Sequence, residues 1–159
     1  MQIRCALVGM PGSGKSTVGR HLAQRLKVPF IDLDHQLEQV LKTSIRQFFE
    51  AEGEARFRDI EAQVLAKVTA RPGGMVLSTG GGAVLRPENR QVLRDFGNVL
   101  YLRASPEEIF KRVKHDRTRP LLQVNNPLQK LRELYAQRDA LYRDAATYVI
   151  ETGRPTVQT

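Results

Sequence analysis

Residues 9–16 read GMPGSGKS, a glycine-rich stretch closed by Lys15 and Ser16. The spacing G-x-x-x-x-G-K-[ST] suits a phosphate cradle, in which backbone N–H groups turn inward around the anion along a curve that side chains would obstruct. Lys15 would neutralise the outer phosphates of a nucleoside triphosphate, and the Ser16 hydroxyl would ligate Mg²⁺. A helix starting near Gly14 would aim its positive end at the anion. Gly12, Ser13 and Thr17 complete the expected cradle. An ordinary strand-to-helix turn is the competing reading, but the flanks fit the phosphate loop. Ile3, Cys5, Ala6, Leu7 and Val8 form an apolar run before it, and Val18, Leu22, Ala23 and Leu26 recur at helical spacing after it.

Further segments carry groups suited to the same chemistry. In FIDLD, Asp32 and Asp34 are one residue apart, so on an extended chain their carboxylates face the same side. One can hold Mg²⁺ through water, because that ion gives up hydration reluctantly, and the other can accept a proton from a substrate hydroxyl. Alone, such a pair is more often a solvated strand end. In GEARFRDIE, Arg58 and Glu61 lie three apart, on one face of a helix. Glu61 could fix Arg58, whose planar fork suits an acidic substrate; the alternative is a surface ion pair of little energetic value. TGGGAV, residues 79–84, lets backbone approach a ligand closely, or simply turns the chain. RTRPLL carries Arg117 and Arg119, and QRDALY carries Arg138; each arginine alone reads as a solvated side chain.

The elements that must position these groups are legible as an alternation. Strand-like runs recur near residues 2–8, 29–32, 75–78, 98–102 and 147–151, with helical patterns between them, which implies a parallel sheet flanked by helices. Asp32, Thr79, Gly80 and Gly81 then fall at or just after strand carboxyl ends, where ligands bind in open α/β sheets. Residues 34–70, broken near Thr43 and Gly53, form a helical insertion long enough for a substrate-binding lobe. His115 to Pro127, rich in proline, asparagine and basic residues, reads as a mobile loop able to close over phosphates.

Composition bounds the function. The 159 residues, 41% hydrophobic, fit one domain with a real core. No apolar run approaches the roughly 20 residues that span a bilayer, and Met1 leads straight into a strand, so the expectation is a soluble cytoplasmic protein with no membrane partner. Cys5 is the only cysteine, which excludes an intramolecular disulfide or a cysteine metal cage and assigns it to core packing. The net charge of +8 invites a nucleic-acid reading, but basic residues are scattered and aromatics are only 6%, without an RNA- or DNA-binding signature. A small anion plus a nucleotide accounts for a positive cleft.

In order and spacing, GMPGSGKSTVGRHLA, FIDLD, GEARFRDIE, STGGGAV, NRQVL, DRTRPLL and RDALY resemble the shikimate kinase family across essentially the whole chain. The resemblance implies ATP-dependent phosphorylation of the 3-hydroxyl of shikimate, on the chorismate route to aromatic amino acids. It implies an α/β fold: three α/β/α layers around a five-stranded parallel sheet of the P-loop, nucleoside-monophosphate-kinase-like type. The whole chain, residues 1–159, forms one kinase domain, with a substrate-binding region at about 34–70 and a lid at about 114–126. It also implies roles. Lys15, Ser16 and the surrounding loop bind ATP and Mg²⁺, with Asp32 as a second-sphere metal ligand; the family has no usual acidic strand-end metal residue after the third strand, and Ser78 and Thr79 stand there in this sequence. Asp34 contacts the reacting hydroxyl and accepts its proton. Arg58 and Arg138 grip the shikimate carboxylate, and Gly81 and Gly82 supply backbone contacts. Arg119 is the lid arginine reaching the transferring phosphates, Arg112 and Pro155 flank adenine, and the enzyme is a monomer. A kinase for gluconate or a nucleoside monophosphate shares the phosphate loop but leaves the FRDIE, GGG and RPLL set unexplained. A nucleotide-dependent regulatory protein is the alternative from another class.

Overall fold

A computed structural model describes residues 2–114 and 125–152. Its sheet contains β1 (Arg4–Val8), β2 (Phe30–Asp32), β3 (Met75–Ser78), β4 (Asn98–Arg103) and β5 (Tyr148–Glu151). All pairings are parallel, in the order β2-β3-β1-β4-β5. The helices are α1 (Lys15–Leu26), α2 (Leu33–Leu41), α3 (Ile45–Glu52), α4 (Glu54–Thr69), α5 (Pro87–Phe96), α6 (Pro106–Val113) and α7 (Pro127–Ala145). The expected alternation and the five strand positions are therefore present.

β1 is central and its side chains alternate between two cores, as period-two geometry requires. Cys5 and Leu7 meet Ala23 and Val76 beneath α1, whereas Ala6 and Val8 join the larger cluster built with α2, α4, α5, α6 and α7. Cys5 is buried and unpaired, as expected. From β1 the chain crosses to β2, and from β3 it crosses back over β1 to β4. Segments leaving the carboxyl ends of β1 and β3 thus run in opposite directions and open a crevice between them.

The insertion has the predicted breaks. Lys42 turns left-handed at φ 59° to end α2, Ser44 caps α3 by accepting from Gln47 N–H, and Gly53 at φ 85° joins α3 to α4. Two boundaries differ from the sequence reading. Asp34 lies in the first turn of α2 rather than on an extended strand, because Asp32 accepts its N–H at 3.0 Å and starts the helix. At the other end, Asn126 accepts from Gln129 N–H, so Pro127 opens α7 instead of closing a loop. Among the described residues, no helix is long and apolar enough to cross a membrane.

Candidate active site

The phosphate loop leaves β1 and enters α1 through Gly14. Its φ of 95° demands glycine, although a Cβ there would meet nothing within 4 Å; conformation, not space, sets the requirement. No side chain caps α1, so its N-terminus faces the loop with the dipole unblocked. Lys15 is buried and its Nζ donates to Gly9 O at 2.8 Å and Met10 O at 2.9 Å, which folds the ammonium into the loop. Ser13 Oγ is buried without a hydrogen-bond partner among the described residues.

The β2 end separates the two aspartates by what each oxygen touches. Asp32 Oδ1 caps α2, and its Oδ2 accepts from Ser16 Oγ at 3.2 Å. Asp34 instead lies against the glycine turn: a Cβ on Gly80 would come within 2.7 Å of Asp34 Oδ1. Burial pushes the Asp34 carboxyl above the usual carboxylate range; Asp32 and Glu38 push the same way, and Lys15 and Arg58 pull it back. Asp34 thus feels the charge of both the loop lysine and the arginine of α4.

Arg58 is held on several sides. Its Nη1 donates to Glu61 Oε1 at 2.9 Å, its Nε to Glu54 at 3.3 Å, and its guanidinium lies 5.7 Å and 5.2 Å from the ring centres of Phe49 and Phe57. Glu61 is only 1% exposed, which overturns the surface-pair alternative. Burial raises the Glu61 carboxyl, while Arg58 and Arg138 act to lower it. A Cβ on Gly82 would overlap the Arg58 guanidinium, so a side chain there could be seated only by displacing Arg58. Arg138 projects from α7 with its Nε buried and without an acceptor among the described residues. A buried guanidinium nitrogen with nothing to donate to calls for an anionic ligand.

The family model described as Shikimate kinase matches residues 11–159. The chain belongs to the shikimate kinase family. Curated relatives named shikimate kinase include one from Paracidovorax citrulli, 59% identical over 96% of this chain and 84% of its own length. Another, from Ralstonia nicotianae, is 55% identical over 94% of this chain and 78% of its own. Among solved structures, shikimate kinase from Acinetobacter baumannii in complex with shikimate has a TM-score of 0.93 at 46% identity, covering 99% of this chain and 88% of that one. A gluconokinase from Sinorhizobium meliloti, at 17% identity and a TM-score of 0.60, shares the fold alone.

In this shikimate kinase the sequence-predicted residues Lys15, Ser16, Asp32, Asp34, Arg58, Gly81, Gly82 and Arg138 converge at the carboxyl ends of β1, β2 and β3. Arg112 instead contacts backbone, donating to Ser13 O at 3.2 Å and Thr152 O at 3.1 Å, which places it beside the phosphate loop. Arg117, Arg119 and Pro155 lie outside the described residues. Thr79, which stands at the strand end where no acidic metal residue is expected, has its hydroxyl committed to Leu7 O at 2.8 Å. Sequence reasoning missed Phe49, Phe57 and Tyr142. Phe49 and Phe57 were hidden because aromatic residues at helical spacing read as core; Tyr142 stands four residues after Arg138, a same-face spacing that could have been noticed.

Proposed function

We infer that this kinase transfers the γ-phosphoryl group of ATP to the 3-hydroxyl of shikimate, yielding shikimate 3-phosphate and ADP. The carrying observation is Asp34, a half-buried carboxylate against the glycine turn after β3 that feels the charges of both Lys15, at the phosphate-binding end, and Arg58, at the carboxylate-binding end. Arg58 and Arg138 receive the shikimate carboxylate, and the turn at Gly81 and Gly82 receives the ring closely enough to direct the 3-hydroxyl toward Asp34.

In the transfer, the O–P bond to the 3-hydroxyl forms as the bond to the ADP bridging oxygen breaks, and the hydroxyl proton passes to Asp34. A loose transition state needs positioning and charge stabilisation more than a strong base. The raised pKa of Asp34 still makes it a better acceptor than an exposed aspartate. Lys15 faces the phosphates, and Arg119 from the lid joins it to spread the charge and exclude water. Gly12, Ser13, Gly14, Ser16 and Thr17 cradle the triphosphate, with Arg112 and Pro155 at the adenine end.

Ser16 and Asp32 present oxygen donors side by side, the type Mg²⁺ selects. When bound, Mg²⁺ supplies charge neutralisation on the phosphate oxygens. The enzyme acts as a cytoplasmic monomer on small anions, without nucleic-acid or membrane partners. A coupled assay of ADP release with Mg·ATP, comparing shikimate, quinate and gluconate, tests the assignment. Stimulation confined to shikimate is expected; ATP binding without release on any acceptor would overturn it in favour of a regulatory role.

A further inference from the structure

Tyr142 belongs to the RDALY segment, and its side chain is fully buried. Its Oη donates to Gly81 O at 2.6 Å, joining α7 to the glycine turn after β3. The other carbonyls of that turn are also taken: Gly80 O accepts from Ala83 N–H and Gly82 O from Leu85 N–H, each at 3.1 Å, and the rest accept from side chains. Asn89 Nδ2 donates to Ala83 O at 3.1 Å, and Arg90 Nη1 donates to Val84 O at 2.9 Å and Leu85 O at 3.3 Å. By contrast, the N–H groups of Gly81 and Gly82 donate to no acceptor among the described residues. A turn whose carbonyls are tied back and whose N–H groups are unclaimed presents donors to an anion. Gly81 is confined on a second side too, since a Cβ there would come within 2.7 Å of Pro11 in the phosphate loop.

Tyr142 also shares its helix face with Arg138, one turn earlier. Both Arg138 and Arg58 act electrostatically on its phenol, so it lies among the groups assigned to the carboxylate end of the site. The ring packs on Tyr101 at 5.0 Å between centres, and Tyr101 Oη in turn donates to Asp139 Oδ1 at 2.7 Å.

We propose that Tyr142 is a positioning residue for the acidic acceptor substrate, clasping Gly81 O so that the glycine-turn N–H groups and the Arg138 guanidinium keep one mutual geometry. The role rests on the functional reading above for the identity of the acceptor, but the clasp itself is a property of this chain. It predicts an effect on one substrate only, because the hydroxyl reaches the acceptor side and not the phosphate loop's own hydrogen bonds.

The test compares Tyr142→Phe with Tyr101→Phe, which removes the other hydroxyl of the same ring pair, one that donates to Asp139, without touching the glycine turn. In Tyr142→Phe, the shikimate KM should rise about fivefold to tenfold, as loss of one hydrogen bond's worth of positioning implies. The ATP KM should stay within about twofold, because the phosphate loop keeps its bonds. Amide hydrogen exchange over residues 79–85, measured without ligand, should accelerate in Tyr142→Phe and stay at the wild-type rate in Tyr101→Phe. Unchanged exchange in Tyr142→Phe, or equal rises in shikimate KM for both variants, overturns the proposal. Wild-type turnover indifferent to shikimate would instead overturn the functional reading, with the exchange comparison still deciding the clasp.

Discussion

Removing Arg58 tests the site most sharply, because its guanidinium serves two partners at once. Arg58 and Glu61 are 13% and 1% exposed and pair at 2.9 Å, so Arg58→Ala leaves a buried carboxylate without its principal counter-charge. Breaking such a pair costs about 3–5 kcal/mol. At about 2–4 °C per kcal/mol for a chain of this size, Tm should fall by about 6–20 °C. The same change removes charge-assisted hydrogen bonds to the substrate carboxylate, worth about 1.5–3 kcal/mol, so the shikimate KM should rise about 10- to 150-fold. The two losses separate in Arg58→Ala/Glu61→Gln. A neutral amide no longer buries an unpaired charge, so most of the lost Tm should return while the KM remains high. Thermal unfolding by circular dichroism and shikimate titrations at saturating ATP give both numbers. A double variant that recovers KM together with Tm, or a single variant with unchanged KM, would refute the carboxylate-clamp role and leave Arg58 as a structural partner of Glu61.

Asp34→Asn should lower kcat by about 10²- to 10⁴-fold with the shikimate KM little changed, since a proton acceptor is lost while the substrate's carboxylate anchors remain; near-normal turnover would exclude the acceptor role. Burial raises the Asp34 carboxyl, so the acid limb of the kcat–pH profile should lie above the ordinary aspartate value of about 3.9, and a limb at or below that value would contradict it. The same direction sets stability: a group raised on folding contributes stability fully below its unfolded pKa and loses it as pH rises through the folded one. Urea unfolding should therefore show wild type losing ground to Asp34→Asn from acid toward neutral pH, and a change of the opposite sign would defeat the burial argument. Gly82→Ala pushes the Arg58 guanidinium aside and should raise the shikimate KM about tenfold or more, judged by the charge-assisted bonds displaced, with the ATP KM unaffected. Steady-state kinetics in both substrates check it, and equal effects on the two KM values would point to general unfolding of the site.

Much of this was legible in the order of residues because local chemistry dictates it. The glycines and Lys15 of the phosphate loop, the breaks near Thr43 and Gly53, and the alternation of strand-like and helical runs follow from dihedral freedom, capping and hydrophobic period. The spacing of Arg58 and Glu61 likewise predicted a shared helix face. One local inference misjudged its context: Asp32 and Asp34 were paired as neighbours on an extended strand, but Asp32 ends the strand by capping α2 and Asp34 lies in that helix's first turn.

What sequence by itself determined was the inventory of groups, the α/β layering and the family resemblance, each set by neighbours along the chain. Only the tertiary structure decided that Glu61 is buried, that Phe49 and Phe57 flank Arg58, and that Tyr142 reaches Gly81 across 61 positions. Burial and long-range hydrogen bonds depend on which surfaces the fold brings into contact, and identical local spacing serves a solvated helix face as readily as a buried one.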